Sequence, residues 1–316
     1  ESADEVEDAI RDLQNQDARQ IILDLRSNPG GLVDESVEMA SMFLPEGSLV
    51  FRSRGKKKEM DEDFVTDDDG RFRDLPLILL INSHSASASE ALAGSLQDHD
   101  RALIIGRRSF GKALIQTGFP VMPTGDYVVL TVGRIYTPSG RIIQRRYRGL
   151  GDAQYRSLAG TAGDAQDTLQ EFRTDGGRVV RGGGGIAPDI ELPGGTRFPV
   201  WVAVAADSGF EAAVADSVAA TLPADATARE TWLASPERWQ SALIAPYLDR
   251  VRTRLGISAA TTPELEERIA WILARRAARV RWGNEAASET GLRYDADVQA
   301  AIENFPNIRA LLAGSP

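Results

Sequence analysis

Four serines stand at residues 83, 85, 87 and 89 in NSHSASASEALAG, residues 82–94, directly after the apolar run LPLILLIN at 75–82. The run reads as a buried strand, the polar stretch as a turn, and residues 87–98 as a helix with Ala88, Leu92 and Leu96 as its apolar positions. A residue at that helix start lies at the carboxyl edge of a sheet, where α/β folds bind their ligands. The first backbone N–H groups of a helix are unsatisfied and point at it. An oxyanion forming there gains their hydrogen bonds and the positive end of the helix dipole. Ser87 is placed for nucleophilic attack on a carbonyl. Ser87-Ala88-Ser89-Glu90 also spells a capping box, and spacing alone leaves both roles open.

A serine nucleophile needs a base. His99 lies twelve residues beyond Ser87 on or just past the same helix, roughly 18 Å away at ~1.5 Å per residue. His84 shares the turn with Ser87 but has no evident acidic partner. Outside the charged cluster Lys56 to Lys58, the only lysine is Lys112, in SFGK, just after the apolar strand ALIIG at 102–106. A lysine entering a sheet edge is partly desolvated, which lowers an amine pKa toward the range where it accepts a proton. The plainer reading is a solvated strand end, and the residues by themselves do not decide between the two.

Two other motifs overlap this region. GRRSFGKA at 106–113 follows the phosphate-loop pattern except at Ala113, which lacks the hydroxyl that would hold magnesium. The following LIQTGFPV is strand-like, whereas a phosphate loop opens a helix. Ser109 and Lys112 fit the S-x-x-K motif of acyl transfer, but Gly111 and the strand behind it argue against the shared helical turn that motif needs.

The elements that must position these residues follow from periodicity. Residues 2–16 read as an amphipathic helix, 21–25 as a buried strand before the turn RSNPGG, 35–44 as a helix and 49–54 as a strand. The charges at 56–58 and 61–69 read as a solvated hairpin, and 113–119 and 127–136 as further strands ending at TPSG. Strands alternate with helices, and the runs at 21–25, 75–82 and 102–106 are apolar on both faces. This pattern predicts an α/β domain with a mostly parallel sheet. Residues 145–185 are polar and Gly-, Arg- and Asp-rich, an excursion from the core, before IAPDIEL at 186–192 returns to the sheet. Two domains are expected, 1–195 and an all-helical 196–316. In the second, TTPELEERIAWILARRAARVRWG carries Pro263 at its first turn, late arginines and a Gly283 stop. Those arginines, 275, 276, 279 and 281, read first as complements to the helix dipole.

The chain has 316 residues, a formal charge of −10, no cysteine and two histidines. The charge argues against nucleic acid as a partner. Without cysteine there are no disulfides, and with two histidines no histidine-rich metal site; no cofactor or metal is expected. No apolar run approaches the ~20 residues that span a bilayer, so membrane contact is expected only through segments outside this chain.

DLRSNPGG (24–31), LINSHSASASEALAGSLQDHDRALIIG (80–106) and RSFGKALIQ (108–116), with TPSGRIIQ (137–144) and GGGGIAPDI (182–190), resemble the carboxyl-terminal processing peptidases, or tail-specific proteases. The likeness covers roughly residues 1–144 and 178–192. It implies a crotonase/ClpP-like protease core and a serine endopeptidase with a Ser–Lys dyad. On that resemblance Ser87 is the nucleophile, Lys112 the general base and Gln116 the residue that orients the lysine. The backbone N–H groups of Gly31 and Ala88 form the oxyanion hole. Implied substrates are proteins or peptides with exposed apolar carboxyl ends, and the implied location is the bacterial periplasm or cell envelope, or a thylakoid lumen. The PDZ domain that the family carries ahead of this region is expected outside this chain. The rival reading is a catalytically incompetent scaffold whose helical tail, with all five tryptophans, docks a partner protein.

Overall fold

The structure is a computed structural model that describes residues 2–121, 125–147, 149–151, 154, 170–194 and 198–313. Residues 155–169 of the polar excursion lie outside the described residues. The chain divides into two compact units, residues 1–193 with 300–316, and residues 194–299.

The first unit holds two four-stranded sheets. β1 (Ile21–Asp24), β4 (Leu77–Ile81), β5 (Leu103–Gly106) and β10 (Ile190–Glu191) form a wholly parallel sheet in the order β1-β4-β5-β10. All five residues of β4 are fully buried, as an inner parallel strand covered on both faces requires. The three runs read as apolar on both faces are three of these strands, and the return at 186–192 is the fourth. The α/β fold class with a parallel sheet and a carboxyl-terminal helical region is therefore as expected. The remaining strands do not extend that sheet. β2 (Leu49–Gly55), β3 (Glu62–Val65), β6 (Leu114–Val121) and β7 (Asp126–Tyr136) build a separate antiparallel sheet in the order β3-β2-β7-β6. The charged stretch after residue 55 is the β2–β3 hairpin. β6 is an edge strand, where Pro120 is tolerated because it has no N–H to give to a ladder. A short hairpin of β8 (Glu171–Arg173) and β9 (Val179–Arg181) stands apart.

α1 (Ser2–Asn15), α2 (Val33–Ser41) and α3 (Ala88–Asp98) complete this core. α3 is buried along its whole length, not only on the face of Ala88, Leu92 and Leu96. Its small residues permit that enclosure: a Cβ at Gly94 would lie 3.0 Å from both Ile186 and Thr137. Gln97 and Asp98 at its carboxyl end are both paired. Asp98 takes the guanidinium of Arg141 at 2.7 Å, with both side chains fully buried, and the Thr137 hydroxyl at 2.5 Å. Gln97 accepts from Arg141 at 2.6 Å and donates to Asp189 at 2.9 Å. Arg178 spans Asp100 and Asp189 at 2.5 and 2.7 Å. This network binds TPSG and IAPDI to one helix end.

The second unit is helical: α4 (Val200–Asp207), α5 (Phe210–Thr221), α6 (Ala226–Leu233), α7 (Pro236–Trp239), a π-helical turn at Gln240–Ile244, α8 (Ala245–Leu255), α9 (Pro263–Trp282) and α10 (Asn284–Arg293). α11 (Ala296–Glu303) crosses the boundary, and α12 (Phe305–Ala313) groups with the first unit, against β4. α9 starts where expected, with Thr262 accepting the Leu265 N–H at 3.3 Å and Pro263 at its first turn, and it stops at Gly283. Trp232 and Trp239 are buried in this unit's core, with Trp201, Trp271 and Trp282 packed against it. Of the late arginines, Arg276 pairs with Asp216 at 2.9 Å and Arg275 lies 5.0 Å from the Trp271 ring centroid.

Removing one partner of a buried ion pair leaves the other charge dry and uncompensated. Arg141→Ala should therefore destabilise the first unit by about 3–5 kcal/mol. Arg276→Ala, at an exposed pair, should cost no more than about 1 kcal/mol. Urea denaturation followed by far-ultraviolet circular dichroism measures both.

Candidate active site

Ser87 is the N-cap of α3, with φ 59° and ψ −119°. Side chains other than hydrogen rarely occupy that region, and holding one there costs of the order of 1–3 kcal/mol. α/β-hydrolases present their nucleophile on a comparably sharp, strained strand-to-helix turn. The surrounding bonds enforce the conformation here. The Asn82 N–H donates to the Ser85 hydroxyl at 2.9 Å, and that hydroxyl donates to the Leu25 carbonyl at 2.7 Å. The Ala86 N–H donates to the Asn28 carbonyl at 3.0 Å. The Asn82 side-chain oxygen accepts the Ser27 N–H at 2.9 Å. The β4–α3 turn and the RSNPGG turn after β1 are thus stitched together residue by residue.

The NPGG turn presses directly on the nucleophile segment. A Cβ at Gly30, whose φ is +84°, would lie 2.6 Å from the Ala86 carbonyl oxygen and 2.7 Å from the Ala88 nitrogen. At Gly31 a Cβ would meet nothing within 4 Å. The requirement for glycine therefore belongs to the first glycine of the pair, while the amide assigned to the oxyanion hole belongs to the second. Gly30, Gly31 and Ala88 border a cavity of about 440 Å³ whose apolar wall includes Leu25, Met39 and Leu92.

Lys112 lies in the extended segment between β5 and β6 and is half-buried. Its N–H donates to Glu90 Oε2 at 2.8 Å, and the next N–H, of Ala113, donates to the Gln144 side chain at 2.7 Å. The same Oε2 accepts the Ser87 N–H at 3.0 Å. Two nitrogens bonded to one oxygen at ordinary lengths lie no more than about 6 Å apart, so the backbones of Ser87 and Lys112 are neighbours. No hydrogen bond joins their side chains among the described residues. Gln116 is exposed on β6, two residues inside the strand, and Lys112 precedes the strand by two residues. The β6–β7 register shifts between Ile115 and Gln116.

Glu90 is the residue that the sequence analysis passed over as half of a capping box. It is fully buried, and its other oxygen accepts the Ser109 hydroxyl at 2.5 Å and the Gly111 N–H at 2.7 Å. Burial pushes its pKa up to about 7, against the four donors, which pull it down. The Ser109 hydroxyl also accepts the Ile186 N–H at 2.6 Å. Ser109 is buried and spent on this link, and no helix joins it to Lys112, so the S-x-x-K arrangement is not formed. The histidines are elsewhere. His84 is exposed, and His99 stands between Asp175 and the Leu49 carbonyl, each at 2.7 Å. Among the described residues no cluster of His, Asp and Glu suits a metal ion.

The site is a strained serine at a helix mouth, with a lysine segment and a glycine turn against it. The sequence model of peptidase family S41 matches residues 1–151. The amino-terminal part of the chain is similar to the carboxyl-terminal processing proteases, as its motifs indicate. It is 44% identical over 144 residues to the carboxy-terminal-processing protease of Bartonella bacilliformis, covering 43% of this chain and 32% of that one. It is 37% identical over 131 residues to the chloroplastic carboxyl-terminal-processing peptidase 1 of Arabidopsis thaliana, covering 42% of this chain and 26% of that one. Among solved structures, the photosystem II D1 C-terminal processing protease matches at 28% identity and a TM-score of 0.44, over 60% of this chain and 39% of that one. The chain spans less than a third of the length of the Arabidopsis relative and 32% of the Bartonella one.

Two outcomes follow from this geometry. Gly30→Ala combines a positive φ with a backbone clash and should destabilise the chain by more than about 1 kcal/mol. Gly31→Ala should stay within about 0.5 kcal/mol of the parent; thermal melts compare the two. Because the folded pKa of Glu90 stands above its ordinary value of 4.5, the folded chain holds that proton more tightly than the unfolded one. Its contribution to stability is then full below pH 4.5 and is lost as pH rises through 7, a change of about 3 kcal/mol. The parent chain should lose stability relative to Glu90→Gln across that window in urea titrations, and a parallel pair of curves would contradict the assignment.

Proposed function

We propose that this chain carries the catalytic part of a serine endopeptidase that cleaves protein substrates at or near their carboxyl-terminal tails. Ser87 attacks the scissile carbonyl while the neutral amine of Lys112 takes the proton of its hydroxyl. The amide N–H groups of Ala88 and Gly31 hold the oxyanion, each such donor being worth ~100–1,000-fold in rate. Lys112 then passes its proton to the leaving amine. Water, deprotonated by the same lysine, attacks the acyl-enzyme and releases the second product. Gln116, on the strand that follows, orients the lysine.

The observation that carries this reading is the meeting of Ser87 and Lys112 on one carboxylate oxygen, at 3.0 and 2.8 Å, although twenty-five residues separate them. The strained φ of Ser87 and the glycine turn against Ala88 support it. Neither Gly31 nor Ala88 gives its N–H to an acceptor among the described residues, which suits an oxyanion hole. The relatives named carboxyl-terminal processing proteases support protein carboxyl-terminal tails as the substrate class. The bacterial periplasm or cell envelope is the proposed location; the relatives include bacterial proteins and a chloroplastic one.

Purified Ser87→Ala and Lys112→Ala should keep the parent's circular dichroism and lose peptide cleavage by about 10⁴-fold or more. Retained turnover in either rejects the dyad. Simple retention of an unstructured protein with an apolar tail, without shortening, would favour the scaffold.

A further inference from the structure

The Glu90 carboxylate lies between the two proposed reacting residues and takes part in no bond change. A cap needs only its bond to the Ser87 N–H. Three further donors reach it from the Lys112 segment, and they divide in a specific way. Oε1 takes the Ser109 hydroxyl and the Gly111 N–H, and Oε2 takes one amide from each proposed catalytic residue. All four donors are neutral, and among the described residues no cation pairs with this carboxylate. Above pH 7, where Glu90 is ionised, the carboxylate is acceptor-only and offers about four lone-pair sites; here all four are used. A neutral amide in its place would turn one oxygen into a donor and face two donors with it.

We propose that Glu90 is a positioning residue, whose shared oxygen fixes the spacing of the Ser87 and Lys112 backbones so that the proton passes over a set distance. The proposal rests on the dyad reading and adds to it a third side chain that touches neither substrate nor reacting atoms. Ser109 extends the tether: its oxygen ties Glu90 to the Ile186 N–H and thereby to the glycine run 182–185. The reason such a tether matters is that proton transfer needs heavy atoms about 2.6–3.2 Å apart. A shift of about 1 Å costs on the order of 100-fold.

The test uses the full chain and a fluorophosphonate probe, which acylation-type attack by Ser87 converts to a stable adduct. The limiting inactivation rate kinact and the probe affinity KI are measured for the parent, Glu90→Gln and Ser109→Ala. Each is measured well below its own melting temperature and expressed per folded molecule. Glu90→Gln should lower kinact about 100-fold and leave KI within about threefold. Ser109→Ala, which keeps both bonds to Oε2, should lower kinact about tenfold. A Glu90→Gln kinact within threefold of the parent overturns the proposal, as does a change confined to KI. If Glu90→Gln does not fold, Ser109→Ala decides by the same criterion, and loss of fold in both assigns the carboxylate to stability alone. Failure of the dyad reading is seen separately: a parent chain that the probe does not label, or a Lys112→Ala variant labelled at the parent rate, removes the reading itself.

Discussion

A carboxylate without water or a counter-ion persists in a core only where hydrogen-bond donors replace both. Glu90 meets that condition with four donors, and the chain around it is arranged to deliver them. The Gly111 N–H reaches Oε1 because the backbone there adopts a φ of +90°, with a Cβ position 2.9 Å from the Gly185 nitrogen. The glycine run 182–185 is buried for the same reason: it wraps the Ser109–Gly111 segment, and a Cβ at Gly185 would collide with the Ser109 carbonyl oxygen. The polar excursion therefore ends inside the core, around the same carboxylate.

α3 is held at both ends by buried polar groups. At its amino end Glu90 gathers the serine and lysine segments. At its carboxyl end Gln97 and Asp98 gather TPSG, through Arg141, and IAPDI, through Asp189. Unpaired, these groups would each cost several kilocalories per mole; paired, they leave the helix few alternative positions. The parallel sheet fixes where β4 ends and the serine turn begins, while the antiparallel sheet takes up the chain directly after Lys112. Ser87 thus follows a strand of the parallel sheet, Lys112 stands where the chain passes from that sheet to the antiparallel one, and the helix with its network is what they share.

The NPGG turn illustrates how steric and chemical demands fall on different residues of one motif. Gly30 permits the turn to approach the backbone of Ala86 and Ala88, and Gly31 is left facing open space with its N–H available. A motif read as letters merges the two. The approach distances separate them.

The amino-acid sequence alone determined the parallel sheet, because runs that are apolar on both faces at 21–25, 75–82 and 102–106 have few other places to go. It also determined α9, whose proline, acidic first turn and terminal glycine are local signals. Ser87 and Lys112 were legible as candidates from residue type and from the scarcity of other bases, but not as a pair. Glu90 was visible only as a capping residue, since a carboxylate three positions after a serine has the same spelling whether it serves one loop or two. The second sheet and the return of α12 to β4 were likewise hidden, because strand pairing and helix docking join residues distant in the chain, and periodicity reports only what is near. Which donors surround a buried charge is a property of space, and only the tertiary structure decided it.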